Sequence, residues 1–252
     1  MTGCCANGSC CCAREDDRCE CPHPMVSVIT PTWERNELLL NRCIPSVRVQ
    51  DYPNVEHIIV SDGPDPGLAA SMAKLRRCDH DGCPRSGPWC QRLRYDELPE
   101  HAKGEHWGHY ARTRALELAR GDYIGYLDDD DLYLPRHCSI LVSALNAHPE
   151  AGFAFSQMQW ADGTWTIGHD EPWECDIGTP MIMHRREVLR HGGWDHAHEV
   201  EDWRLVERWL DAGVQWTFVP RVTVIIWPGA MDYEPPRSDE PDDDDEPAAQ
   251  QA

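Results

Sequence analysis

The sequence predicts an α/β protein built on a mostly parallel sheet. Short β-branched or aromatic runs alternate with helical patterns along residues 26–147, the order that a parallel sheet with crossover helices requires. Three of those runs end in polar residues, Pro31-Thr32, Asp62 and the four consecutive carboxylates Asp128 to Asp131. Ligands of such sheets sit beyond the carboxyl ends of the strands, so one edge gathers the polar chemistry. The chain is also long enough: 252 residues with 41% hydrophobic content can bury a sizeable core in one or two domains.

Val26-Ser27-Val28-Ile29-Thr30 reads as a strand stopped at Pro31, because proline cannot donate to a ladder. Residues 35–49 carry helical spacing at Leu38, Leu39, Val47 and Val49, and Pro45 must kink or end that helix. Val55 to Val60 is the second strand, closed by the turn Ser61-Asp62-Gly63-Pro64. Leu68 to Leu75 reads as a helix, and Arg92 to Tyr95 as a third strand. Ala111, Ala115, Leu118 and Ala119 mark a helix over 109–120, stopped by Gly121. Tyr123 to Leu127 is the next strand and runs into the aspartates; a helix over 136–147 follows, with Pro135 suited to its first turn.

The second half is different in character. Eight of the 11 Trp lie at or after Trp160, and segments such as Gly152 to Trp160 read as irregular strands. A helix over 202–212 places Trp203, Val206, Trp209 and Leu210 on one side. Residues 1–24 and 231–252 are expected to lie outside the fold, leaving one domain over 25–230 with a first half to 135 and a second from 136. The acidic tail cannot bury enough apolar area to order itself.

Charge and cysteine usage narrow the function. A net charge of −21, from 23 basic and 44 acidic residues, excludes a basic nucleic-acid footprint as the main activity. No apolar run approaches the roughly 18 residues of a membrane span, and the start MTGCCANGSC lacks the features of a secretory signal. A cytoplasmic location is expected, with peripheral membrane association left open. Cys4, Cys5, Cys10, Cys11, Cys12, Cys19 and Cys21 crowd the first 21 residues. Cytosolic thiols are kept reduced, so the choice is between structural Zn2+, for instance on Cys19, Cys21 and His23, and an unstructured extension. Cys78, His80, Cys83 and Cys90 pose the same choice within a loop.

Four adjacent carboxylates raise each other's pKa unless a cation is shared. Mg2+ or Mn2+ takes such oxygens and binds phosphates through one or two carboxylates. On strand alternation Asp128 and Asp130 would point to one side. An EF-hand is excluded, since Asp128-x-Asp130 leads to Leu132 with no glycine at the sixth position. An aromatic at Trp33, an acceptor at Asp62 and a metal site at three strand ends are what a nucleotide diphosphate requires.

The segments VSVITPTWER, CIPSVRVQDYPNVEHIIVSDG, ARTRALELARGDYIGYLDDDD and GGWD…EDWRLVERWLDAG resemble glycosyltransferase family 2, over about residues 25–226. The resemblance implies the GT-A fold, a Rossmann-like sheet with helices on both faces and a Trp-rich acceptor half. It further implies that Pro31, Thr32, Trp33 and Glu34 line a base pocket, and that Asp62 accepts from a pyrimidine N3–H. Arg112 matches the arginine of the family's Ala-Arg-Asn, with Thr113 in place of Asn. Asp128 and Asp130 match the ends of Asp-x-Asp, with Asp130 the metal ligand, Asp128 beside it and Asp129 between them against the donor. Asp202 matches the catalytic base of inverting members. Ser61 stands where the family has a first Asp, and no His follows His198.

The expected reaction is metal-assisted, inverting transfer from a nucleotide-diphosphate sugar, with UDP-sugar the expected donor, to an acceptor hydroxyl of a glycan, lipid, protein or small molecule. Trp173, Trp194 and Trp203 are candidates to stack on acceptor sugars. The alternatives are a nucleotidyltransferase on sugar phosphates, which would want a glycine-rich loop after the first strand, and a non-catalytic metal-binding or scaffold protein.

Overall fold

The computed structural model describes residues 23–76, 92–102, 108–194 and 201–227. The Cys-rich start, the second thiol group and the acidic tail lie outside the described residues. Among the described residues Cys43, Cys138 and Cys175 are free, and no helix is long and apolar enough to cross a membrane.

Among the described residues nine strands form one sheet: β1 Val26–Thr32, β2 Val55–Ser61, β3 Leu93–Glu97, β4 Tyr123–Tyr126, β5 Leu132–Tyr133, β6 Ala151–Trp160, β7 Thr166–Ile167, β8 Ile182–Arg185 and β9 Gln215–Ile226. The order is β3-β2-β1-β4-β8-β6-β9-β5, with β7 beside β6. Pairing is parallel across β3, β2, β1 and β4. Beyond β4 the sheet becomes mixed, since β8 runs antiparallel to both β4 and β6 while β6 and β9 are parallel. The first half is thus wholly parallel, and the second half mixes antiparallel pairs with the parallel pair β6–β9. All of β1 and β2 is buried, as expected of strands covered on both faces.

Helices cover both faces. On one side Leu39, Cys43, Ile44 and Val47, Leu68 and Met72, and Leu141 and Leu145 pack against Val26, Val28 and Ile59. On the other, Ala111 and Ala115 of the His109–Leu118 helix and Leu205, Val206 and Trp209 of the Glu201–Asp211 helix pack against Ile29, Ile58, Tyr126 and Phe155.

Pro45 does not end its helix. Asn36–Leu38 passes into a π turn, Leu39–Cys43, and then into an α segment, Ile44–Arg48. The Ile44 N–H bonds to the Leu39 carbonyl, five residues back. Pro45 therefore falls in the first turn of the renewed α segment, where its missing N–H costs little. The long β9 went unread because it bulges: Ser156 pairs with Val219 and Gln157 with Val222, leaving Pro220 and Arg221 outside the ladder. Proline at a bulge is the position a sheet tolerates.

Residues ahead of β1 are tied to the segment that leads into β2: the Pro24 carbonyl accepts from Tyr52 Oη at 2.7 Å, and the His23 carbonyl accepts from Asn54 Nδ2 at 2.8 Å.

Candidate active site

The carboxyl ends of β1, β2 and β4 converge, and the first helical turns opposite them complete the site. The Glu34 backbone has φ of +54°, a left-handed conformation that is uncommon outside glycine and marks functional turns. That turn separates two side chains with different tasks. Trp33 lies toward the end of β2, where its ring stacks on His101. Arg35 lies toward the aspartates, with Nη1 at 2.7 Å from Asp130 Oδ2 and 3.3 Å from Asp129 Oδ1. Glu34 itself is exposed. Thr32 is committed to the acidic run, its hydroxyl donating to Asp129 Oδ2 at 2.7 Å.

The four aspartates do not continue the strand. β4 ends at Tyr126, and the run turns, with the Asp131 N–H on the Asp128 carbonyl at 3.2 Å. Strand alternation therefore does not govern Asp128 and Asp130, and the partners of each carboxylate are set by the turn. Asp128 Oδ1 receives Arg112 Nη2 at 2.8 Å. Asp129 is held by Thr32 and Arg35, Asp130 by Arg35, and Asp131 Oδ1 receives the Trp227 N–H at 3.3 Å. Arg42 closes the far side, donating to the Asp130 carbonyl at 2.6 Å while lying 3.6 Å above the Trp227 ring.

Arg112 joins the two halves. Its helix starts at Gly108, whose φ of +86° suits glycine and where a Cβ would stand 3.0 Å from Pro31 Cβ. Pro31 thus packs beneath the helix, and the helix can approach β1 and place Arg112 one turn in. Besides Asp128, the guanidinium donates to Glu201 Oε2 at 3.2 Å and lies over the Trp194 ring at 4.7 Å. Burial works against its charge, and Asp128 and Glu201 more than offset it. Asp202, half-buried in the first turn of its helix, accepts from the Trp203 N–H at 2.8 Å and the Thr179 N–H at 3.3 Å. Asp202 also contributes to the field at Arg112, so the base candidate and the acidic run share one electrostatic site.

The carboxylates are short of positive charge. Burial, with some help from neighbouring carboxylates, pushes Asp129 up to about 6 and Glu201 up to about 7. Asp130 is raised by burial and by Asp128, Asp131 well above the usual range for the same reasons, and Asp202 chiefly by burial. A hard divalent cation fits these donors by chemistry and by charge. Among the described residues no group of three or more His, Cys, Asp or Glu side chains is arranged to hold a metal ion.

At the base end, Asp62 is buried, with His101 Nδ1 3.1 Å from its Oδ2 and the Ala102 N–H 3.3 Å from its Oδ1. Of the acceptor-side tryptophans, Trp173 is exposed, Trp194 is buried on Arg112 and Tyr126, and Trp203 is packed on the core. Sequence reasoning missed Arg35, Arg42, His101 and the role of Glu201. The signal for Arg35 was a cation three residues past a strand end that faces four aspartates. His101 carried no signal, because only the fold brings it to Trp33.

A mixed α/β sheet with helices on both faces, its strand ends carrying an aromatic, a buried acceptor and a carboxylate run along one edge, has the architecture of the GT-A fold. The family profile described as Glycosyl transferase family 2 matches residues 27–208, and the chain belongs to that family. It is similar to the putative colanic acid biosynthesis glycosyl transferase WcaA of Escherichia coli, 31% identical over 48% of this chain and 38% of that protein. It is likewise similar to the GalNAc(5)-diNAcBac-PP-undecaprenol beta-1,3-glucosyltransferase of Campylobacter jejuni, 27% identical over 49% of this chain and 35% of that one. The chain thus spans well under half of these relatives' length. The fold is shared with S. aureus TarS in complex with UDP-GlcNAc, TM-score 0.64 at 14% identity over 82% of this chain and 60% of that one. It is shared also with the mannosyltransferase PcManGT of Pyrobaculum calidifontis in complex with GDP-Man and Mn2+, TM-score 0.61 at 19% identity over 84% and 59%.

Proposed function

We propose that the chain transfers a sugar from a UDP-sugar to an acceptor hydroxyl, with inversion at the anomeric carbon. The observation that carries this reading is the convergence of Trp33, Asp62, Asp128 to Asp130, Arg112 and Asp202 on one sheet edge. Trp33 offers a face for the base, and Asp62 accepts a ring N–H. The related folds hold UDP-GlcNAc or GDP-Man, so a nucleoside diphosphate suits the architecture.

A divalent cation, Mn2+ or Mg2+, held by Asp130 with Asp128, would neutralise charge on the departing diphosphate, a Lewis-acid effect of several kcal/mol. Arg112 holds Asp128 and Glu201 in place and keeps a buried positive charge between donor and base. Asp202 takes the proton of the attacking hydroxyl, a contribution of roughly 10²–10⁴-fold. Its burial raises its proton affinity, which favours the base role. Trp173, exposed on the acceptor side, is a stacking surface for the acceptor.

A panel of UDP- and GDP-sugars, followed for nucleoside diphosphate release with and without Mn2+, tests the reading. UDP release that requires Mn2+ is expected. Pyrophosphate formation from a sugar phosphate and a nucleoside triphosphate would instead identify a nucleotidyltransferase, and no turnover with any donor would favour a binding role.

A further inference from the structure

Trp33 and His101 lie face to face, their ring centroids 4.1 Å apart and their planes 8° from parallel. The same imidazole has Nδ1 at 3.1 Å from Asp62 Oδ2 and 2.9 Å from the Asp62 carbonyl oxygen. Gly63 makes the arrangement possible. Its φ is +130°, and a Cβ there would stand 2.7 Å from Trp33 Cζ3 and 2.9 Å from the His101 nitrogen. Aromatic faces touch at about 3.5–4 Å, so no third ring fits between Trp33 and His101. A flat ring stacked on Trp33 that presents a nitrogen to the Asp62 carboxylate is what a bound pyrimidine would be.

We infer that the His101 imidazole is an internal occupant of the base seat, and that a nucleobase binds by displacing it. This rests on the donor reading above. The seat has room for the exchange: His101 also lines an open cavity of about 700 Å³ between residues 98–102 and Tyr110, Thr113 and Glu117 of the next helix. A carboxylate only accepts, so a ring facing Asp62 must offer an N–H, as uracil does at position 3 and cytosine does not. Binding is weakened by the fraction of molecules in which the imidazole fills the seat, since apparent affinity scales with the competent fraction.

The test is calorimetric titration of the full chain with UDP, CDP and inorganic diphosphate in the presence of Mn2+, for wild type, His101→Ala and Trp33→Ala. His101→Ala is expected to tighten UDP by about three- to tenfold, to tighten CDP less and to leave inorganic diphosphate unchanged. In wild type labelled at histidine Cε1, UDP is expected to move the His101 resonance, identified by its absence in the variant, out of the ring current of Trp33. If His101→Ala weakens UDP or leaves it unchanged while Trp33→Ala weakens it, the imidazole is not an occupant and the inference falls alone. If UDP binds neither wild type nor His101→Ala, the donor reading falls and takes the inference with it.

Discussion

Asp129 and Glu201 bind protons more tightly in the folded chain than carboxyls ordinarily do, with values near 6 and 7 caused first by burial. The stability they contribute is full below the ordinary carboxylate range and is lost as pH rises through about 6 and then about 7. Without metal, thermal unfolding between about pH 5.5 and about pH 7.5 is therefore expected to show a lower Tm at the higher pH. Mn2+ is expected to narrow that gap, and Asp129→Asn to reduce it; a Tm that rises with pH in the metal-free chain would contradict the assignment. Asp130→Asn is expected to abolish Mn2+-dependent UDP binding, checked by calorimetry, because it removes the carboxylate assigned to the ion and leaves Arg35 paired with Asp129 alone. Undiminished, metal-stimulated UDP affinity would remove Asp130 from the metal site. Sequence legibility at this scale had two sources: the acid run and Asp62 could be singled out by residue type and placement, and Arg112 and Asp202 through the resemblance to the family. The direction of each carboxylate could not, because the run leaves strand geometry at Tyr126 and turns. A one-dimensional alternation rule has no force there.

Single helices and strands were legible where the periodic signal was strong. The fully buried strands β1 and β2, and the helices His109–Leu118 and His137–Ala147, fall within about two residues of their sequence readings, the usual uncertainty of such ends. The Pro45 helix and β9 were obscured by the same residue for different reasons. A π turn absorbs the first proline and a bulge expels the second; neither device has a periodicity of its own. The Glu201–Asp211 helix is anchored by Trp209, fully buried against Phe153 and His184 and donating from Nε1 to the Gly192 carbonyl at 3.1 Å. Trp209→Ala is expected to cost about 3–5 kcal/mol in denaturant unfolding. Because that helix carries Asp202, the surviving folded fraction should also lose turnover. A cost below about 1 kcal/mol would show that the second core cluster does not fix the base.

Over the whole molecule, the one-sided charge and the carboxylate-rich edge belong together. Among the described residues of a chain with 44 acidic and 23 basic side chains, Asp128 to Asp131, Glu201 and Asp202 gather around the guanidiniums of Arg35, Arg42 and Arg112. A divalent cation held at that edge would supply part of the missing positive charge. Trimming to residues 23–230 keeps the His23 and Pro24 contacts with Tyr52 and Asn54, and every element described. The trimmed chain is expected to unfold within about 1 kcal/mol of the full chain, since surface changes away from packed features fall near that range. Its UDP affinity with Mn2+ should match, and loss of folding or of stoichiometric zinc on trimming would assign the ends a structural role.

Metal-assisted transfer with Asp202 as the base is tested most directly by the turnover of Asp202→Asn, measured as Mn2+-dependent UDP release alongside the Kd for UDP. Deprotonation of the acceptor is an interaction of the transition state, so its loss lowers kcat without weakening the donor complex. The expected result is a fall in kcat of about 10²–10⁴-fold at an unchanged Kd; turnover near wild type would contradict the assignment.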